Sequence, residues 1–169
     1  GGMGRVLKRK TPYAYEAAGR VTATTMAANK AILARTETTV YNPDNTVAKT
    51  IQNYKGTGVF NAALPDRNIT TTYGYDAASR LSVVAQPSIL NSQPVSATYS
   101  YLAQSPLVSQ IVFTNNGQRR MTTTKTYDFL NRLLAVSSAP SAASAVDFEY
   151  SYNAANQRTL RREADDSYW

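Results

Sequence analysis

The stretch TTYGYDAASRLSVVAQ, residues 71–86, is written as a β-hairpin. Its first arm alternates around Tyr73 and Tyr75, and its second arm has an apolar residue at every second position from Leu81, as strands with two faces require. Between the arms Asp76 opens a short run of small residues, and an acid at the start of a turn can accept a hydrogen bond from the backbone two residues on. The stretch therefore predicts strand, tight turn, strand.

The same phrase recurs through the chain, in six versions that we number copies 1 to 6. They read YAYEAAGRV, TVYNPDNTV, TYGYDAASRL, TYSYLAQSPL, KTYDFLNRL and YSYNAANQRT. The second tyrosine of each copy is Tyr15, Tyr41, Tyr75, Tyr101, Tyr127 and Tyr152, with steps of 26, 34, 26, 26 and 25 residues. A near-constant step indicates a repeat architecture, in which each unit packs on the next.

The position that closes each turn also follows a pattern. Three residues after the acid, the copies carry Gly19, Asn45, Ser79, Ser105, Asn131 and Asn156. Gly and Asn tolerate positive φ, which a turn closing through a left-handed residue requires. Serine suits this conformation less well, so we expect the turns at Ser79 and Ser105 to be looser or differently closed.

A step of about 26 residues accommodates two strands and two turns. The predicted fold is therefore all-β: one domain, residues 1–169, formed by an antiparallel strip of hairpins with a thin aliphatic core. The extra residues of the long step are expected in 54–68, and the outer turns in 86–94, 115–120 and the Ser/Ala-rich loop 137–145. Residues 26–37 have a helix-forming composition, so a helix there stays open as an alternative to a strand and its outer turn.

Composition narrows the function. The chain has no Cys and no His, which removes thiol chemistry, the commonest metal ligand and the commonest general base. Eighteen basic against eleven acidic residues give a net charge of +7, scattered except at 4–10, 119–120 and 161–162. We interpret it as solvated surface charge, with contact to a polyanion as the alternative. We expect no membrane span, no cofactor and no metal site. We also expect no nucleic-acid partner, because the chain lacks the motifs of RNA-binding sheets. Gly1–Gly2 resemble a cloning remnant, and no signal peptide is evident.

The phrase Y-x-Y-D-x-x-G/N-R-L resembles the repeat of the Rhs/YD-repeat family, which includes Rhs toxins, shell subunits of Tc toxins, wall-associated proteins and teneurins. The resemblance is carried by YAYEAAGRV, YGYDAASRL, TYDFLNRL and YNAANQRT, with copies 2 and 4 degenerate. It implies a spiralling antiparallel sheet that forms a hollow shell, with tyrosines and leucines stacked in ladders. Six repeats would form only an arc of such a shell. No Asp-Pro pair is present, so no self-cleavage motif is carried over.

Three classes of function follow from these patterns. The first is a structural scaffold without catalysis, part of a shell that encloses cargo or presents a surface in a secreted or cell-surface bacterial parent. The second is a carbohydrate-binding module that uses Tyr and Arg on the sheet face, with Arg20, Arg80 and Arg132 as contacts for an anionic glycan. The third, an enzyme, has only the carboxylates of 163–166 to offer, in a segment that we expect to be a frayed terminus.

The partners expected of a scaffold are other YD repeats of a larger parent, or further copies of the chain joined through open sheet edges. The alternative to self-association is that the ends fold back as covers, with 4–10 as a charged guard at one edge. No catalytic, cofactor or metal residues are assigned. The structural repeat positions are Tyr13, Tyr15, Gly19, Arg20, Tyr41, Asn45, Tyr73, Tyr75, Asp76, Arg80, Leu81, Tyr99, Tyr101, Tyr127, Asp128, Asn131, Arg132, Leu133, Tyr150, Tyr152, Asn153, Asn156 and Arg158.

Overall fold

The computed structural model describes residues 12–26, 35–54, 67–87, 93–165 and 167–168. All regular structure in these residues is β-strand. A helix able to cross a membrane is not found in this part of the chain. The strands are β1 (Tyr13–Tyr15), β2 (Val21–Met26), β3 (Arg35–Tyr41), β4 (Val47–Tyr54), β5 (Arg67–Tyr75), β6 (Leu81–Gln86), β7 (Val95–Tyr101), β8 (Val108–Asn115), β9 (Gln118–Tyr127), β10 (Leu133–Pro140), β11 (Val146–Tyr152) and β12 (Arg158–Glu163).

The twelve strands are hydrogen-bonded in chain order, from β1 to β12, in one sheet. Neighbours pair antiparallel, as strands joined by short connections must. Each copy of the phrase supplies the end of one strand, a turn, and the start of the next. The prediction of an all-β, antiparallel row of hairpins is therefore confirmed.

The chain divides into two compact units, residues 1–73 and 74–169. The first contains β1 to β4 and most of β5, and the second contains β6 to β12. The assignment of 1–169 to a single domain stays a prediction.

The side chains of the sheet are half-buried rather than buried. No apolar residue in the described part of the chain is fully buried, and the one buried residue is Thr123, at 9% exposure. In the second unit one row across the strands runs through Tyr99, Ile111, Thr123 and Ser138, so aliphatic, aromatic and hydroxyl side chains share a face. The expected aliphatic core is thus absent from the described residues, because side chains there are covered mainly by neighbours in the same layer.

Two outer connections differ from expectation. β8 and β9 are joined by Asn116–Gly117 alone, with φ of 52° and 72°, the conformation of a tight hairpin turn, so 118–120 belong to β9 rather than to a turn. The prediction of a loop over 137–145 is wrong for its first residues, because β10 continues to Pro140. Its serines pair with threonines of β9, as Ser138 does with Thr123 at 3.0 Å between hydroxyl oxygens, and a proline is tolerated at the strand end.

The question of a helix in 26–37 is settled only at its ends. Met26 ends β2, and Arg35 begins β3, while 27–34 lie outside the described residues. The same holds for 4–10 and for 55–66, where the extra residues of the long step were placed.

Candidate functional site

The turn of copy 3 is closed by its acid. Asp76 Oδ1 accepts hydrogen bonds from the backbone N–H groups of Ala78 and Arg80, each at 2.9 Å, and Oδ2 accepts one from Arg80 Nε at 2.7 Å. Backbone bonds Asp76 N to Arg80 O and Ser79 N to Asp76 O, both 2.9 Å, complete the turn. One carboxylate therefore fixes both the backbone of the turn and the direction of the arginine side chain.

Copy 5 repeats this arrangement, and copy 6 repeats it without charge. Asp128 accepts from the N–H groups of Leu130 and Arg132 at 2.9 Å each and from Arg132 Nε at 2.6 Å. In copy 6 the amide oxygen of Asn153 takes the backbone bonds, and its Nδ2 donates to Gln157 Oε1 at 2.9 Å. Gln157, and not Arg158 as the alignment suggested, thus occupies the arginine position.

The third residue of the turn is left-handed in five copies. The φ angles are 78° at Gly19, 70° at Asn45, 58° at Ser79, 64° at Asn131 and 61° at Asn156. The expectation for Ser79 is wrong: its turn closes like those of the asparagines, because the carboxylate of Asp76 holds the backbone in place. A left-handed serine costs free energy that Gly or Asn avoids.

Copy 4 is closed differently, as expected for Ser105. Its backbone bond joins Leu102 N to Leu107 O at 2.9 Å, so the turn is one residue longer, and the left-handed residue is Gln104, with φ of 53°. Leucine in place of the acid cannot accept hydrogen bonds, and Ser105 Oγ accepts from Leu107 N instead, at 3.1 Å. Leu107 therefore stands where other copies have arginine.

The hydrogen bonds of the turn lower the pKa of its acid. The backbone N–H of Arg80 is the main cause for Asp76, and it outweighs the opposing effect of burial. For Asp128 burial is the largest influence and raises the pKa, but the bonds from Arg132 and Leu130 together hold it below its ordinary value. Both groups are carboxylates in the folded protein at neutral pH.

Each of these arginines also contacts the following copy. The guanidinium carbon of Arg80 lies 4.4 Å from the centroid of the Tyr101 ring, and its Nη1 donates to Ser105 O. The Tyr101 hydroxyl in turn donates to Leu81 O at 2.6 Å. We call this set of contacts an arginine clamp: an arginine held by its own acid, stacked on the next copy's tyrosine and hydrogen-bonded to the next turn.

Two further junctions carry the same clamp. Between copies 1 and 2, Arg20 is paired with Glu16, lies 4.5 Å from the Tyr41 ring centroid and donates to Asn45 Oδ1. Between copies 5 and 6 the corresponding ring distance, from Arg132 to Tyr152, is 4.9 Å. Further contacts of these junctions include Tyr41 Oη to Val21 O at 3.0 Å, Tyr152 Oη to Leu133 O at 2.8 Å, and Arg132 Nη1 to Asn156 Oδ1 at 2.9 Å.

The junction between copies 4 and 5 has the tyrosine hydroxyl bond but no arginine stack. Tyr127 Oη donates to Val108 O at 2.9 Å, but copy 4 has no arginine to stack on the ring. Burial raises the pKa of Tyr127. Arginine-bearing copies 1, 3 and 5 thus alternate with copies 2, 4 and 6, which carry Thr46, Leu107 and Gln157.

Sequence reasoning placed the tyrosines but missed their partner. A ladder of tyrosine rings was expected, whereas the rings of Tyr41, Tyr101 and Tyr152 are covered by arginine. The sequence signal that could have shown this is the spacing, since the arginine of copies 1, 3 and 5 precedes the second tyrosine of the next copy by about 21 residues.

Several other repeat positions make contacts of a different kind. Tyr13 and Tyr15 form a tilted ring pair with centroids 6.5 Å apart on β1. Tyr73 Oη approaches Thr50 Oγ1 at 3.5 Å. Arg158 lies 5.5 Å from the Tyr150 ring centroid, within copy 6.

Glu163 and Asp165, two of the carboxylates near the C-terminus, lie at a hydrogen-bonded turn rather than in a frayed segment. Glu163 N donates to Ser167 O at 2.8 Å, and Asp165 Oδ1 accepts from Ser167 N at 3.0 Å. The side-chain hydrogen bond of Ser167, followed by its backbone hydrogen bond, lowers the pKa of Asp165. Tyr168 then bridges to Arg162. No group of three or more acidic side chains in the described residues is placed to hold a metal ion.

Comparisons with known proteins return one kind of match. No protein-family model and no curated protein matches the chain. Among solved structures it is similar to a mutant Tc holotoxin pore of Photorhabdus luminescens, at 19% identity and a TM-score of 0.45, over 90% of this chain and 9% of that chain. The repeated phrase of the chain resembles that of the Rhs/YD-repeat family, and a Tc toxin is among the solved structures to which the chain is similar.

Proposed function

We propose that the chain is a structural YD-repeat scaffold, part of a β-shell that encloses cargo or presents a surface, without catalysis of its own. The observation that carries this proposal is that side chains of the repeated phrase contact the next copy of the phrase. In copies 1, 3 and 5 the arginine bonds its own acid and contacts the next tyrosine and the next turn. Residues committed to joining one hairpin to the next are those that a scaffold needs.

The larger setting of the proposal rests on the repeated phrase. A secreted or cell-surface bacterial parent, with further YD repeats on either side, would continue the same junctions. Its arc of hairpins would then belong to a longer spiral.

The carbohydrate-binding alternative requires Tyr and Arg to be free on the sheet face. Nε and Nη1 of Arg80 are both engaged within the chain, and its planar face lies on Tyr101. A sugar would have to displace these contacts, so the geometry favours the scaffold.

The two functions are separated by comparing Arg132→Gln with Arg120→Gln. Arg132 belongs to a clamp, whereas Arg120 is exposed on β9, and both changes remove one positive charge. If the chain is a scaffold, Arg132→Gln should lower the melting temperature and Arg120→Gln should leave it unchanged. The unsubstituted chain should then show no binding to a glycan array at physiological salt. Glycan binding by the parent that is lost in a folded Arg132→Gln variant would overturn the proposal.

A further inference from the structure

One contact recurs at every junction that lies within a unit. The hydroxyl of a copy's second tyrosine donates to a backbone carbonyl of the preceding copy. The acceptor is always the residue just after the arginine position. In three hairpins that residue is paired across the turn with the preceding tyrosine, as Val21 with Tyr15, Val108 with Tyr101 and Leu133 with Tyr127.

The first and last strands hold opposite halves of this contact. On β12, Arg158 is paired with Tyr152 and so occupies the acceptor position, yet no tyrosine hydroxyl reaches its carbonyl within the described residues. On β1, Tyr15 occupies the donor position; it is 61% exposed, and its hydroxyl has no hydrogen-bond partner in the part of the chain that the structure describes.

The outer edge of β12 already accepts antiparallel pairing at one end. Glu149 faces Arg162 on the β11 side, so the bridge from Tyr168 to Arg162 lies on the outer side. Among the described residues no strand pairs with 157–160 on that edge, between the turn of copy 6 and this bridge. A strand of three residues, the length of β1, fits that space.

We propose that the open part of β12 binds β1 of a second copy of the chain, head to tail, with Tyr15 Oη donating to Arg158 O. This rests on the scaffold proposal and deepens it: a second copy supplies at β12 the next YD repeat that a longer parent would supply within one chain. Between copies 5 and 6, Ala135 pairs with Glu149, and counting back three residues places Tyr152 opposite Arg132. The same register places Tyr15 opposite Gln157 and Ala14 opposite Arg158.

The alternation of the copies is preserved by this arrangement. Copy 6 lacks an arginine, and copy 1 of the second chain carries one, so the new junction is of the type found between copies 4 and 5. Because the two surfaces differ, the association is head to tail, and each added chain brings a further β12 edge.

Cysteine pairing tests the register directly, since the chain has no Cys of its own. Ala14→Cys and Arg158→Cys chains are mixed at equal concentration, oxidised and separated on a non-reducing gel. Directly opposed residues lie close enough for a disulfide. The control mixes Ala14→Cys with Thr124→Cys, an exposed residue of the interior strand β9.

At least tenfold more heterodimer from the first mixture is expected, and equal yields would overturn the proposal. Using two separate chains excludes a bond within one molecule.

Sedimentation velocity tests the hydroxyl contact. The unsubstituted chain should gain average mass as its concentration rises. Tyr15→Phe should require about three- to tenfold higher concentration to reach the same mass. Tyr99→Phe, on an interior strand, should behave like the unsubstituted chain. A parent that stays monomeric at all concentrations would overturn the head-to-tail contact while leaving the scaffold proposal, which is tested by glycan binding and melting temperature.

Discussion

Arg80 and Tyr101 belong to neighbouring hairpins, and the arginine lies over the tyrosine ring at 4.4 Å while its Nε is held by Asp76. The acid thus fixes the direction of the arginine that lies on the tyrosine. The stack therefore joins the two hairpins in addition to their backbone ladder and to the bond from the Tyr101 hydroxyl to Leu81 O.

Replacing Arg80 by Gln should lower the free energy of unfolding by about 1–2 kcal/mol, because the stack and the bond to Ser105 O are both lost. Urea denaturation measures the change. In a double-mutant cycle with Tyr101→Leu, a coupling of about 0.5–1 kcal/mol is expected. Strict additivity of the two changes would show that the stack contributes nothing.

The hydroxyl of Tyr101 should be worth about 1 kcal/mol, since Tyr101→Phe leaves Leu81 O without its donor at 2.6 Å. Tyr99→Phe is the matched control, because Tyr99 lies on the same strand and its hydroxyl makes no hydrogen bond within the described residues. Thermal denaturation of both variants should show a lower melting temperature for Tyr101→Phe alone. Equal shifts would argue against the contact.

Exchanging the left-handed residues of two equivalent turns should have opposite effects. Ser79→Asn is expected to raise stability and Asn131→Ser to lower it, each by about 0.5–1 kcal/mol, because asparagine tolerates positive φ better than serine. Chemical denaturation of the two variants against the parent is the measurement. A change of the same sign in both would contradict the strain argument.

Gly74 should not accept a side chain. A Cβ there would lie 2.6 Å from Val83 Cγ1, so Gly74→Ala should destabilise by about 1–3 kcal/mol despite the better strand propensity of alanine. Val83→Ala should remove the clash and rescue the double variant in part. If Gly74→Ala alone is neutral, the close approach is relieved without cost.

Acid should weaken the turns of copies 3 and 5. The pKa values of Asp76 and Asp128 are lower in the folded protein than in the unfolded chain, so their contribution is complete above the unfolded value of about 3.9 and is lost as pH falls through the folded value. Asp128→Asn retains an acceptor, as Asn153 shows in copy 6. The stability of the Asp128→Asn variant should fall less between about pH 5 and about pH 2 than that of the unsubstituted chain. Circular dichroism measures the unfolding of both.

The hairpins could be predicted from the sequence because alternation and turn residues are local signals. Asn131 and Gly19 announce left-handed turns by residue type alone. Ser79 could not be predicted in this way, because its conformation depends on three hydrogen bonds to the carboxylate of Asp76. Local propensity was overridden by a side chain that the turn itself positions.

The arginine stacks were harder to predict, because they join residues about 21 apart that only the register of the sheet brings together. Arg158 was misassigned for the same reason: sequence spacing made it the arginine of copy 6, whereas the backbone bonds of Asn153 place Gln157 there. The strand character of 137–140 depends on pairing with β9 and is not visible in a Ser/Ala-rich stretch.

The alternation of arginine-bearing and arginine-free copies makes two hairpins, not one, the unit by which such a chain can change length. Loss of copy 4 alone would bring Arg80 against the turn of copy 5, where Arg132 already stands, and set two positive charges side by side. Loss of copies 4 and 5 together would place Arg80 beside Tyr152 and Asn156, a pairing like the one that Arg132 already makes. Duplication and deletion are therefore expected to be tolerated in even numbers of hairpins.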